Sequence, residues 1–183
     1  MTNDALTHAD LVRIACRWLA GTKRCPLVFA EPGSMVLAEL PDALGFYSSG
    51  RTSHVVECKV SRADFRADAK KPFRQPGRGM GTHRWFLVPD GLVQADEVHD
   101  GWGLLYVRKG RVRVAVNAAS RGQSRDIQSE LAWLYSAVHR HQMGVHWFAP
   151  EHRFETVAQA VARKSALATA SDDARNSERG DDR

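Results

Sequence analysis

Two acids and a lysine are the residues of this sequence best suited to chemistry. Asp42 follows a proline in the stretch LPDALGF, and Glu57 and Lys59 lie two residues apart in the apolar stretch HVVECKV. Side chains alternate along a β-strand, so Glu57 and Lys59 share one face. If the Asp42 segment pairs antiparallel with this strand through the turn SSGR, Asp42 meets Glu57 on that face.

Such an arrangement predicts a site for a hard cation. Two carboxylates held close together repel each other unless a cation or a shared proton lies between them. Oxygen ligands favour Mg²⁺, and Lys59 beside them supplies a positive charge for an attacking water or a phosphoryl oxygen. The simpler alternative is that the E-x-K motif is a solvent-facing ion pair and Pro-Asp is a turn.

The hydrophobic pattern predicts the elements that position these residues. A T-x-x-D signal begins a helix at Thr7 that ends at Gly21. Three apolar segments separated by turns predict strands, over residues 26–31, 35–47 and 52–60. A short helix from Ser61 to a stop at Pro72, a strand over 84–89 and a hairpin over 101–116 complete the series. The order α-β-β-β-α-β predicts an α/β fold with a sheet covered by helices.

The last third of the chain predicts further helices. The stretch 124–142 has an amphipathic pattern, whose inward residues are predicted to be Ile127, Leu131, Leu134, Tyr135 and Val138. A last helix is predicted over about 151–168, before a polar tail. The domain prediction is a core over 1–120, a helical extension packed on that core over 121–170, and a disordered tail over 171–183.

The charge distribution predicts a polyanionic partner. The net charge is +5, and residues 51–84 hold nine Lys or Arg against three acids. The glycine-rich loop within this segment has basic side chains that are candidates for phosphate contacts, at Lys70, Lys71, Arg74, Arg78 and Arg84. By contrast, Ser61, Asp64 and Asp68 are predicted to form a helix cap and a solvated charged face.

Composition and termini favour an ordinary cytoplasmic protein. No apolar run approaches the roughly 20 residues that span a bilayer, and the start MTNDALTHAD lacks the features of a signal peptide. The three cysteines lack a metal-type spacing, and their odd number disfavours a disulfide framework. A membrane is therefore not the expected partner.

The spacing of the candidate site resembles a known nuclease signature. Asp42 and the triplet Glu57-Cys58-Lys59, with fourteen residues between them, match the PD-(D/E)xK pattern. The longer run PDALGF…VVECKVSRADFRADAKKPFR, followed by RWFLVPDGLV and GWGLLYV, resembles MmcB-type DNA-repair endonucleases and similar phage-encoded proteins. This resemblance covers about residues 8–110.

The resemblance implies a restriction-endonuclease-like core and Mg²⁺- or Mn²⁺-dependent cleavage of DNA in repair, recombination or phage DNA processing. Asp42, Glu57 and the backbone carbonyl of Cys58 would be the metal ligands, and Lys59 would orient or activate the hydrolytic water. Many relatives add a glutamate from the first helix. Here that role falls to one of three acids, Asp10, Glu31 or Glu39, or is absent.

Two alternatives remain open at this stage. A non-catalytic nucleic-acid-binding module could keep the nuclease fold and its basic surface. A protein-interaction component of a repair or phage complex could use the C-terminal helices, which could also form a homodimer.

Overall fold

As far as residue 140, helices and strands follow each other in the order that the hydrophobic pattern predicts. A computed structural model describes residues 6–30, 39–68, 70–74, 78–122, 124–140, 146–148 and 154–156. Its α-helices are α1 His8–Gly21, α2 Arg62–Asp68 and α3 Ile127–Arg140. Its strands are β1 Leu27–Ala30, β2 Ala43–Tyr47, β3 Thr52–Cys58, β4 His83–Pro89, β5 Gly103–Arg108, β6 Arg111–Val116, β7 His146–Phe148 and β8 Phe154–Thr156. Two 3-10 turns lie at Pro72–Arg74 and Ala95–Glu97.

One mixed sheet contains the first six strands in sequential order, β1 to β6. Strand β3 pairs in parallel with β4, and β4 pairs in parallel with β5, whereas the other neighbours are antiparallel. The connection through α2 is therefore a crossover, which parallel neighbours require. The α/β fold, with a mixed sheet flanked by helices in the order α-β-β-β-α-β, is confirmed.

Helix α1 covers one face of this sheet. Thr7 caps its N-terminus, with the Asp10 side chain returning to the Thr7 backbone in the predicted capping box. The buried face of α1 packs against alternate residues of β3, β4 and β5, including Val56 and Trp85. The Trp18 and Trp85 rings meet edge to face, with centroids 5.1 Å apart.

The opposite face of the sheet carries a second core, beneath α2. Phe65 of α2 packs edge to face on Phe86 of β4 with centroids 4.9 Å apart, and Phe86 stacks on Trp102 at 4.4 Å. Because Glu57 pairs in register with Phe86, Glu57 belongs to this second face. Strand β3 is thus buried on both sides.

Two strand predictions needed correction at their ends. Strand β3 ends at Cys58, not at residue 60, and Val60 is 38% exposed rather than in the core. Strand β2 begins at Ala43, and Asp42 lies in irregular chain before it. The part of the predicted 35–47 strand before residue 39 lies outside the described residues. Asp42 and Lys59 therefore flank strands rather than belong to them.

The predicted inward face of α3 is wrong. Ile127 and Leu131 are exposed, whereas Glu130 and Trp133 are buried. Trp133 packs edge to face on Phe29 with centroids 4.6 Å apart. Glu130 also forms a buried ion pair with Arg125. The Trp133 ring and this ion pair together decide which face of α3 points inward, and they outweigh the aliphatic pattern.

The chain divides into two compact units, residues 1–134 and 135–183. In the second unit, β7 and β8 form an antiparallel pair, with His146 opposite Thr156. The prediction of a helix over 151–168 is wrong at residues 154–156, which form β8. The rest of that range and the 171–183 tail lie outside the described residues. Within the described part of the chain, no helix is long and apolar enough to cross a membrane.

Candidate active site

The pairing of β2 with β3 brings Asp42 beside the start of the E-C-K triplet. The last registered pair is Ala43 with Val56, so the next positions outward are Asp42 and Glu57. Asp42 Oδ2 accepts a hydrogen bond from the backbone N–H of Cys58, 2.7 Å away. Burial, and next the negative charge of Glu57, raise the pKa of Asp42 above its ordinary value. The antiparallel pairing predicted for the two segments that carry these acids is confirmed.

Lys59 lies in a buried acidic environment. Its Nζ atom is 3.3 Å from Glu57 Oε2 and 3.2 Å from Asp68 Oδ1, and its side chain is 6% exposed. Burial lowers the pKa of Lys59, but Glu57, Asp68 and Asp42 outweigh it and raise the pKa above its ordinary value. Lys59 is consequently an ammonium ion at neutral pH, and the E-x-K motif is not a solvent-facing pair.

Asp68 corrects the prediction of a solvated face on α2. Its side chain is fully buried, and besides Lys59 it pairs with Lys71 Nζ at 2.9 Å and with Arg74. Burial raises the pKa of Asp68, but the hydrogen bonds from Arg74 outweigh it and hold that pKa well below its usual range. The sequence does contain a signal for this: Asp68 follows Phe65 by three residues, so both lie on the inward face of α2.

Arg74 links three carboxylates in the same cluster. It donates to Asp68, it lies 2.9 Å from Glu39 Oε1 through Nη1, and its Nη2 lies 3.0 Å from Glu57 Oε1. Burial lowers the pKa of Arg74, but Asp68 and Glu57 outweigh it and raise that pKa well above its ordinary value. Arg74 is thus a permanent cation in the cluster.

Glu39 is the candidate additional acid that the fold places in the cluster. It is 4% exposed and accepts hydrogen bonds from Arg74, from Arg84 and from the backbone of Met80. Burial raises the pKa of Glu39. Of the other two candidates, Asp10 is used in the α1 capping box, and residue 31 lies outside the described residues.

The five basic residues predicted to contact phosphates divide into two groups. Lys70, Lys71 and Arg78 are exposed. Arg74 and Arg84 are buried instead, and their guanidinium carbons lie 4.8 and 4.2 Å from the centroid of the Trp102 ring. Their acidic partners are Glu39 and Glu57, which are distant in the sequence, and Asp68, which was predicted to face solvent. Gly-rich composition therefore did not identify which arginines face outward.

The carboxylates of Asp42 and Glu57 and the backbone carbonyl of Cys58 are the donors that the resemblance implies for a divalent cation. Glu57 Oε1 is at ion-pair distance from Arg74, but the guanidinium N–H is not aligned for a hydrogen bond, which leaves that oxygen without one. Asp42 Oδ1 faces His8 Nε2 at 3.5 Å. Among the described residues, no group of three or more His, Cys, Asp or Glu side chains converges as a metal cluster. The remaining ligands of such an ion would be waters, as is common for Mg²⁺.

Comparison with known proteins supports the fold. No model of a known protein family matches this chain, and no curated protein sequence matches it significantly. A protein of unknown function from Silicibacter pomeroyi has a similar solved structure, with 22% sequence identity and a TM-score of 0.56. The match covers 76% of this chain and 90% of that one. At this identity the likeness shows the α/β fold alone.

Proposed function

We propose that this chain is a cytoplasmic, divalent-metal-dependent nuclease that hydrolyses phosphodiester bonds of DNA. The observation that carries the proposal is the meeting of Asp42, Glu57 and Lys59 in one buried site at the end of β3. Buried carboxylates beside a buried ammonium ion are costly to maintain, so their retention in one place favours a functional site. The resemblance of the same residues to the PD-(D/E)xK signature supports this reaction.

In this proposal Asp42 and Glu57 hold Mg²⁺ or Mn²⁺ through their carboxylate oxygens, and the backbone carbonyl of Cys58 is the third protein ligand. When bound, the ion supplies Lewis-acid polarisation of the scissile phosphate and a lowered pKa for a bound water. The hydrogen bond from the Cys58 N–H fixes one oxygen of Asp42. Glu57 and Lys59 are in turn oriented by their mutual ion pair.

Lys59 acts as a cation rather than as a base. Its raised pKa keeps the ammonium group charged at neutral pH, so it donates hydrogen bonds to the attacking water or to a phosphate oxygen. Charge develops on those oxygens in the transition state, where a fixed donor in a dry site stabilises it. Asp68 Oδ1 is a second partner of Nζ, 3.2 Å away, and helps to position it.

A cleavage panel tests the proposal. Purified protein is incubated with duplex, single-stranded and branched DNA in Mg²⁺, Mn²⁺ or EDTA, together with Asp42→Asn and with Asp96→Asn, an exposed acid outside the site. We expect cleavage by the wild type and Asp96→Asn that requires a divalent ion, and none by Asp42→Asn. Cleavage that persists equally in Asp42→Asn, or no cleavage of any DNA, would overturn the proposal.

A non-catalytic nucleic-acid-binding module is the second candidate, and one contact favours it. Arg74 already places a positive charge 3.0 Å from Glu57 and also pairs with Glu39 and Asp68. A buried internal cation can balance these carboxylates without a metal. This alternative predicts that the wild type binds DNA but leaves every substrate of the panel intact in both metals.

A further inference from the structure

A basic hairpin lies outside the cluster that performs the proposed chemistry. Strands β5 and β6 join through Lys109 and Gly110, whose φ angles of 50° and 73° are typical of a two-residue hairpin turn. The register places Arg108 directly opposite Arg111. Like charges facing each other across antiparallel strands destabilise the pair. The turn therefore holds three cations in four residues at a cost that a bound anion would relieve.

Two arginines of the hairpin, Arg108 and Arg113, project from one face of the sheet. Arg108 and Tyr106 are two residues apart on β5, and Arg113 pairs in register with Tyr106, so all three side chains share a face. Arg108 and Arg113 are 79% and 65% exposed. The guanidinium carbon of Arg113 lies 4.9 Å from the centroid of the Tyr106 ring, a cation–π contact that restrains the Arg113 side chain.

A groove of about 550 Å³ runs along this hairpin, and its balance of charge is strongly positive. It is lined by four cations, Arg108, Lys109, Arg111 and Arg113, and by one acid, Asp90. Asp90 lies 3.4 Å from Arg113 and 4.0 Å from Arg108. One carboxylate cannot neutralise four cations, so the groove attracts anions.

The sheet places this groove on the same face and the same edge as the candidate active site. Glu57 is in register with Phe86, and Phe86 with Leu104, so Glu57 shares a face with Leu104, and hence with Tyr106 and Arg108 on the same strand. Strands β3, β4 and β5 are parallel, and their carboxyl ends reach one edge. Two strand spacings separate β3 from β5, about 10 Å.

In the register of the sheet, Arg108 lies two residues further towards that edge than Lys59. Two residues of a strand span about 7 Å. A DNA strand carries one phosphate per roughly 3.4 Å of helix axis. The distance from the site to the hairpin therefore corresponds to about three or four nucleotides.

We propose that Arg108, Lys109 and Arg111 bind backbone phosphates of a DNA chain a few nucleotides from the Asp42–Glu57 site. The proposal rests on the proposed function for its choice of DNA as the anion. It assigns to the hairpin the role of positioning the DNA, since phosphate contacts set register without reading sequence. The competing explanation is that charges on the exposed strand β6 only prevent edge-to-edge association.

Salt-dependent binding to DNA tests the hairpin. Binding of a fluorescein-labelled 25-base-pair duplex and of its single strand is titrated in EDTA at several salt concentrations, so that no cleavage intervenes. The variants are Arg108→Ala/Arg111→Ala and the charge-conserving Arg108→Lys/Arg111→Lys. The matched control is Arg24→Ala/Arg51→Ala, which removes two exposed cations that lie before β1 and in the β2–β3 turn, at the edge of the sheet opposite the hairpin.

We expect the hairpin alanine variant to reduce the slope of log K against log salt by about two units and to weaken binding at least tenfold at 0.1 M salt. The lysine variant should retain the wild-type slope, and the Arg24→Ala/Arg51→Ala control should stay near it. An unchanged slope in the hairpin alanine variant, or an equal loss in the Arg24→Ala/Arg51→Ala control, would overturn the hairpin assignment. Cleavage by the wild type is scored separately, so a hairpin with no effect on binding leaves the proposed nuclease activity standing.

Discussion

Arg74 Nη2 lies 3.0 Å from Glu57 Oε1, and both side chains are only 2% exposed. The guanidinium therefore places a positive charge beside the carboxylate that would also bind a metal ion. A divalent cation bound at the proposed site would compete with Arg74 for this negative charge, because each would stabilise Glu57 as a carboxylate. This competition makes the response to metal a sensitive measure of the site.

Divalent metal should stabilise the wild-type protein through Asp42. The two carboxylates repel in the absence of a cation, so Mg²⁺ or Mn²⁺ that binds the folded state should raise the Tm. Asp42→Asn should abolish most of that rise in differential scanning calorimetry. Asp96→Asn, which removes one exposed charge elsewhere, should respond as the wild type does. An equal response in Asp42→Asn would place the metal at another site.

Replacing Arg74 should destabilise the protein and enlarge its response to metal. Arg74→Met keeps much of the side-chain volume against Trp102 but leaves Glu39, Glu57 and Asp68 without their shared cation. Loss of one partner of a buried ion pair costs about 3–5 kcal/mol. Urea unfolding in EDTA measures that cost, and a Mg²⁺ titration should then recover more stability than in the wild type. The exposed neighbour Lys70→Ala is the control. A smaller metal response in Arg74→Met would show that Arg74 supports the metal site rather than competing with it.

Lys59→Ala should abolish cleavage while leaving DNA affinity nearly unchanged. The ammonium group interacts with charge that develops in the transition state, so its loss affects kcat more than binding. Lys59 is buried between Glu57 and Asp68, so its loss should also lower the free energy of unfolding, by about 3 kcal/mol. Cleavage and binding should therefore be measured well below the Tm of the variant. Wild-type turnover in Lys59→Ala would contradict the mechanism.

The stability of the site should depend on pH through Asp42. Its folded-state pKa is raised above 3.8, first by burial and then by Glu57. A carboxyl of this kind contributes stability that is fully present below its unfolded pKa and is lost as the pH rises through its folded pKa. In EDTA, the wild type should therefore lose stability relative to Asp42→Asn as the pH rises from below 3.8 towards neutrality. Mg²⁺ should reverse this trend, because it binds the ionised carboxylate. Parallel stability curves in EDTA would show that Asp42 has no raised pKa.

Gly103 provides a test of the core that does not depend on function. A Cβ at this position would lie 2.2 Å from the Trp85 ring and 2.8 Å from the backbone nitrogen of Ala118. Overpacking of this kind costs about 1–3 kcal/mol, since a buried ring and a backbone must both move. Gly103→Ala should lower the midpoint of urea unfolding by that amount. At Gly21, at the end of α1, an added Cβ would meet no atom of the surrounding structure within 4 Å. Gly21→Ala should therefore leave the midpoint unchanged or slightly raise it.

Local patterns were enough to predict the three α-helices, the six strands of the main sheet and the pairing that brings the Asp42 segment beside β3. A capping box and an apolar stripe predict α1, and a short turn between two apolar segments predicts the β2–β3 pair. These features involve residues that are near each other in the chain. The strict alternation of a strand then decides that Glu57 and Lys59 leave β3 on the same side.

The surroundings of those residues depended on contacts between distant segments. Asp68 and Arg74 read as solvated charges in the sequence, yet both are buried. Arg74 and Lys59 neutralise Asp68, whereas Asp68 and Glu39 neutralise Arg74. The inward face of α3 was decided in the same way, by Trp133 meeting Phe29.

Sequence by itself therefore determined the order of helices and strands as far as α3 and the pair of acids beside Lys59. Only the tertiary structure decided which charges are buried and which face solvent. A buried charge is stable only when its partners are also in place. For Arg74 those partners come from residues 39, 57 and 68, and no local pattern specifies that they converge.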